Sequence, residues 1–317
     1  MKLSFAYIAS KIRLLLCLVA LAVWGGLAVA QTSPDAAATP IPVDCGDRIE
    51  VPGQYVLMSD LTCWSSPWEV PGIAIEIIAS NVDFDLQGFT LRGNIEVSNV
   101  TKVSVKNGSV ESQNGTAMTF QNVTRCRIEG ITLQTMPWTG GLYIQGDGNL
   151  IKRNFISAAW ALAVYGSSNS VVQNSIQGMR VPFVAAGSDT VIAGNDIHGG
   201  GLSMTAVQLS GTGMILEDSR IEASSIGIRV SGRGNIVRSS EVVAWLGISV
   251  NGEQHLIEGN SVSPEMYGIH VSGIDNDIRR NTVYGAATFD LSGTPTTCTD
   301  NKWQNNTFTT ADPSCIR

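Results

Sequence analysis

The sequence predicts an all-β solenoid, a stack of short coils in which each turn of chain lies on the one before. Three observations carry this. One phrase recurs: "GNLIKRNFI" at 148–156 returns as "SNSVVQNSI", "EQHLIEGNSV" and "NDIRRNTV". Its spacing is nearly constant, and fixed self-similarity at about 20 residues is the mark of a repeat architecture. The apolar residues alternate with period two, which marks strands with one buried face.

Taking the Asn of "KRNFI" as anchor, the series runs Asn154, Asn174, Asn195, Ser219, Ser240, Asn260 and Asn281, with spacings of 20, 21, 24, 21, 20 and 21. Three residues before each anchor stands an aliphatic (Ile151, Val171, Ile192, Leu216, Val237, Ile257, Ile278), and two after stands another (Ile156 through Val283). The same pair appears earlier as Leu86/Leu91, Val105/Val110 and Ile128/Leu133, giving ten coils. A Gly about eight residues before each anchor, Gly146 through Gly273, reads as a recurring turn. Ahead of it sits a third apolar pair, such as Leu142/Ile144 and Ile228/Val230. Each coil therefore holds three short strands and three turns. A leucine-rich repeat has a similar length, but it needs a helix or extended convex segment for which these coils leave no room. The anchors fit a tight bend, where Asn tolerates the left-handed conformation and its amide can bond the same position one coil up.

The chain ends frame this repeat. Lys2, Lys11 and Arg13 precede an apolar run from Leu14 to Leu27 and then Ala28-Val29-Ala30, the pattern of a cleaved secretory leader over 1–30. "QTSPDAAATPIP" (31–42) reads as a flexible linker, and 43–317 as one solenoid domain. Cleavage leaves no membrane span. It removes three of the 20 Lys and Arg and none of the 27 Asp and Glu, so the exported chain carries 17 − 27 = −10. That charge disfavours nucleic acid and anionic membranes as partners. Cys45 and Cys63 near the start and Cys298 and Cys315 near the end are expected to form local disulfides, as an oxidising compartment allows. Loops of that size contribute roughly 3 kcal/mol each. Cys126 is expected to be a small buried hydrophobe.

"CGDRIEVPGQYVLMSDLTC", followed by "GIAIEIIASNVDFDLQGFTLRGN", resembles the opening of parallel β-helix repeat proteins, and "CTDNKWQNNTFTTADPSC" resembles their closing cap. The chain from Cys45 to Arg317 is thus similar to the pectin-lyase-like superfamily. The resemblance implies a right-handed parallel β-helix of about ten to twelve coils with capped ends. Members include polysaccharide lyases, hydrolases, epimerases, surface proteins and a periplasmic copper-maturation component. Their catalytic motifs carry over poorly: "RCRIE" holds a fragment of R-I-K, while G-H-G, D-D and D-P-H do not occur.

The outward column of the strand before each Gly reads Glu76, Glu96, Thr119, Tyr143, Ala163, Val184, Gln208, Arg229, Ser249, His270 and Asp290, one residue per coil, about 4.8 Å apart. Tyr165 neighbours its middle, and Trp138, Trp160, Trp245 and Tyr267 fall in the turn before the strand. Aromatics beside a shallow groove stack on sugar faces. Trp138, Tyr143, Trp160, Tyr165, Gln208 and Arg229 are therefore the candidate polysaccharide-binding residues. Rings that merely cover apolar edges between coils are the competing reading. Arg229, His270 and Asp290 are the candidate catalytic set, supplying a carboxylate-binding cation, a base and its orienter, as β-elimination or epimerisation requires. Glu76 and Glu96 make calcium a candidate cofactor. The N-x-S/T triplets at Asn99, Asn107, Asn114, Asn122 and Asn305 read as turn residues.

The sequence thus points first to a secreted, monomeric β-helix that binds polysaccharide without assigned catalysis. A lyase or epimerase is the alternative. A periplasmic metal-maturation component is the third reading, with three His in the chain and no Met-rich cluster.

Overall fold

A computed structural model describes residues 39–64, 73–201 and 205–316. The expected leader and most of the expected linker lie outside the described residues, as do positions 202–204 of the turn "HGGGLSMTA". The linker's last two residues, Ile41 and Pro42, form a strand beside Tyr55 and Val56. No helix among the described residues is long and apolar enough to cross a membrane.

The described residues are all-β, 63% strand, wound into about 11 parallel coils with essentially no helix among them. One coil shows the plan. Gly140–Asp147, Leu150–Lys152 and Phe155–Ala158 each pair in parallel with the matching strand of the next coil, Trp160–Ser167, Ser170–Val172 and Ser175–Gly178. Three faces of stacked strands result, here called the first, second and third sheets in the order the chain meets them within a coil. In later coils the third-sheet strand runs straight on into the first, as in Arg220–Arg233 and Glu241–Glu253.

Period-two alternation fixes what points inward. Both aliphatics flanking every anchor are buried, from Ile151 and Ile156 to Ile278 and Val283, as are Leu142, Ile144, Ile228 and Val230. They form one continuous core with Phe84, Phe120 and Phe183. The ends are stapled by Cys45–Cys63 and Cys298–Cys315, separated by 18 and 17 residues. Cys126 is a buried free thiol whose pKa burial pushes up, so it lacks the thiolate character of a reactive cysteine.

The anchors do form a ladder. Asn154 Nδ2 donates to Asn174 Oδ1 at 3.0 Å, and Asn174 Nδ2 to Asn195 Oδ1 at 3.0 Å. Ser219 and Ser240 continue the ladder through their hydroxyls, and Asn260, Asn281 and Asn306 complete it. The left-handed residue, however, is the one before the anchor: Arg153, Gln173, Asp218, Ser239 and Arg280 have φ of 54°, 58°, 49°, 51° and 55°. The anchor itself is turned inward, where its amide is needed by buried backbone groups. The recurrent glycines also differ from expectation. Gly166 and Gly187 lie inside the first-sheet strands, where the chain of one coil presses on the next.

A second ladder joins the first and second strands of successive coils. Backbone N–H groups of Cys126, Asn149, Met214, His255 and Asn276 donate to the Oδ1 atoms of Asn149, Asn169, Asn235, Asn276 and Asn301. One rung is a histidine. The Asn235 N–H donates to His255 Nδ1 at 3.1 Å, and His255 Nε2 lies 3.3 Å from the Asn251 carbonyl. A backbone N–H is a fixed donor, so Nδ1 carries the lone pair and Nε2 the proton. Burial holds the His255 pKa below its ordinary value, because removing the ring from water disfavours its charged form.

This lowered pKa makes stability pH-dependent. The folded state binds the proton less readily than the unfolded chain, so the His255 contribution is complete above about pH 6.5 and falls as the pH drops from there towards the lowered folded value. Chemical denaturation midpoints should fall more steeply below pH 6.5 for the native protein than for His255→Asn. That variant supplies the rung used at Asn235 and Asn276. The difference in slope is at most about 1.4 kcal/mol per pH unit, and equal slopes would exclude this role.

Candidate ligand-binding surfaces

The first sheet brings the expected outward column into line. Tyr143, Ala163, Val184, Gln208, Arg229, Ser249 and His270 are successive register partners, preceded by Glu76, Glu96 and Thr119. Glu76 also pairs with Arg48 at 3.3 Å. The column ends differently: His270 stands opposite Ser292 and not Asp290, with Nδ1 3.0 Å from the Ser292 hydroxyl. The preceding coils advance 20 to 24 residues per step, and the last step is 22 residues, to Ser292, and not the 20 that separate His270 from Asp290. Asp290 is buried, its carboxylate accepting the amides of Ala286, Thr309 and Thr310 at 3.1, 2.8 and 3.1 Å. It braces the final turn. Arg229 is exposed two rungs from His270, whose pKa is lowered by burial. The base and its expected orienter do not meet.

The aromatic residues do cluster. The Tyr143 and Tyr165 rings lie 5.5 Å apart, one coil offset on the outer face of the first sheet. Trp245 and Tyr267 meet edge-on at 5.7 Å. Trp138 and Trp160 are exposed at the corner leading into the first sheet, at 63% and 45%. Against both indoles lies the guanidinium of Arg180, 5.1 Å from one ring centroid and 5.0 Å from the other. Its Nε is enclosed and has no hydrogen-bond partner. Reading the column alone misses Arg180. Its signal is positional: Trp138, Trp160 and Arg180 precede Tyr143, Ala163 and Val184 by five, three and four residues in consecutive coils. Gln208 projects from the same sheet, two rungs from Ala163.

A different face is concave. Clefts of about 250, 380 and 390 Å³ run along the outer side of the third sheet. The first two share Thr135, and the last two share His198 and Gly200. At the shared point His198 Nε2 lies 2.9 Å from Asp196 Oδ1, and Nδ1 lies 3.1 Å from Glu222 Oε2. Arg220 also pairs with Glu222, and its hydrogen bond holds the Glu222 carboxyl below the usual carboxylate range. No group of three or more His, Cys, Asp or Glu among the described residues is arranged to hold a metal ion.

Comparison with known structures agrees with the winding. The chain is similar to the Dettilon tailspike protein, with a TM-score of 0.52 at 12% identity over 84% of this chain. It spans only 60% of that tailspike chain. It is also similar to a variant of the periplasmic alginate epimerase AlgG, with a TM-score of 0.50 at 9% identity over 74% of this chain and 76% of that one. The fold is a parallel β-helix. No family model matches the chain, and no curated protein is significantly similar to it. At such identities the likeness describes the β-helix alone, and function rests on side chains.

Proposed function

We propose that this β-helix is an exported protein that binds an extended polysaccharide across its aromatic corner and first sheet, without catalysing its breakdown. The observation that carries the reading is the grouping of Trp138 and Trp160 around Arg180, with the Tyr143–Tyr165 ring pair on the same two coils as the tryptophans. Exposed rings offer flat apolar faces to sugar C–H groups, and a rigid coil stack holds them without an ordering cost on binding. Gln208 and Arg229 extend the surface with polar groups towards the C-terminal coils. Two disulfides suit an oxidising compartment outside the cytoplasm.

The lyase or epimerase reading needs a base, its orienter and a carboxylate-binding cation together. It gains nothing from the inward-facing Asp290. The metal-maturation reading has no ligand cluster among the described residues. Neither is preferred.

The test is affinity for a panel of acidic and neutral polysaccharides, with and without calcium. The double variant Tyr143→Ala, Trp160→Ala should lose roughly ten- to hundredfold in affinity for a polymer that the native protein binds, with its thermal midpoint nearly unchanged. Unaltered affinity would remove the aromatic corner from the site. Formation of an unsaturated product absorbing in the ultraviolet would show a lyase instead.

A further inference from the structure

The third-sheet groove carries a row of polar side chains whose middle members the protein leaves unused. Gln134, Ser157, Gln177 and His198 are successive register partners on its floor, with Glu111 before them and Glu222 after. At both ends the row is closed by ion pairs, Arg92 with Glu111 at 3.0 Å and the His198 cluster with Glu222. Between them the side chains of Gln134, Ser157 and Gln177 have no hydrogen-bond partner among the described residues. On the outer row of the second sheet, by contrast, polar groups are joined from coil to coil, Arg238 to Glu217 and Arg279 to Glu258. This row is also the concave one, and apolar residues line it as well: Pro137, Met136 and Met179, the last two 49% and 41% exposed.

We infer that this groove is a second binding site, taking an extended, uncharged oligosaccharide along the coil axis, separate from the aromatic corner. An amide offers both a donor and an acceptor, and a hydroxyl does the same, which matches the hydroxyls of a sugar and not a single fixed ion. Five coil steps separate Glu111 from Glu222, roughly 24 Å at about 4.8 Å per step, which admits about five sugar units. Charge decides the class. Among the described residues no Arg or Lys lines the three clefts. The Arg residues at the two ends of the row face carboxylates, Arg92 on Glu111 and Arg220 on Glu222, and Arg180 beyond Met179 is stacked on Trp138 and Trp160, so the floor of the groove offers a polyanion no cation. The apolar rim suits the C–H edges of the rings.

The experiment uses the exported protein and uncharged β-1,4-linked hexasaccharides of glucose, mannose, xylose and N-acetylglucosamine, with a hexauronate for comparison, read by calorimetry. At least one uncharged chain should bind. Gln134→Ala with Gln177→Ala should weaken it by about tenfold or more, and Ser157→Trp, which fills the groove from an outward position, should abolish it. Tyr143→Ala with Trp160→Ala should change the same affinity less than about threefold. Thermal midpoints close to native for all variants show that the fold is intact. No binding of any uncharged chain, binding indifferent to both groove variants, or binding lost only with the aromatic pair would each overturn the second site. Because each double variant reads one surface, failure here leaves the aromatic corner standing, and the reverse also holds.

Discussion

Gly187→Ala should destabilise the protein by about 4 kcal/mol or more, among the largest losses a single methyl group can cause. Gly187 has φ of +136°, and a Cβ there would meet the Gly166 carbonyl oxygen at 1.9 Å and its carbon at 2.7 Å. The obstacle is the backbone of the coil below, so no side-chain rotation relieves it. The coils must part and lose their ladder. Gly166, Gly211, Gly232 and Gly252 repeat the situation, each stacked on the glycine one coil earlier. Gly234→Ala is the matched control: φ is +63° with nothing within 4 Å, so only left-handed strain of about 1–2 kcal/mol is expected. Denaturant midpoints of the two variants decide the matter. Similar losses would mean that close coil packing is not what the glycine row provides.

Asn174→Leu should be nearly as damaging, at about 3–5 kcal/mol, although Leu is similar in size and more apolar. Asn174 Oδ1 accepts the Asn154 N–H at 2.9 Å, and its Nδ2 donates to the Ile151 carbonyl at 3.0 Å, all buried. Leucine leaves both backbone groups without partners and without water, and each orphan costs about 1–3 kcal/mol. Asn174→Ser should be milder, because Ser219 and Ser240 already occupy the same row and still accept the neighbouring N–H. If Leu proved no worse than Ser, the ladder would be ornament on a core held by its aliphatics alone.

Much of this architecture is legible in the sequence because a solenoid makes long-range contacts repeat at a short sequence interval. Aliphatics three before and two after each anchor are a local pattern, yet they report the buried core. The second ladder was equally available, since Asn149, Asn169, Asn235 and Asn276 each precede a second-sheet strand. It is broken by Thr190, Met214 and His255, so a search for one residue type passes over it. The third-sheet row is legible too, one residue after the second aliphatic of each coil. Nothing local says that this row is hollowed while another is filled.

The amino-acid pattern by itself determined the coil, its three strands, the buried aliphatics and the pairing of nearby cysteines. The first three follow from period-two burial and a near-constant repeat, and the last from the closeness of the cysteines in sequence. Tertiary structure decided what repetition does not encode. The last step of the column is 22 residues, so Ser292 stands opposite His270, and Asp290, two residues earlier in the same strand, is buried. The meeting of Arg180 with Trp138 and Trp160 depends on how three corners of unequal length fold over one another. The groove is lined by Met136, Pro137 and Met179 beside the polar row, residues of turns that the repeat does not fix. Strand periodicity sets which way a side chain points, while only the packed coils set what stands in front of it.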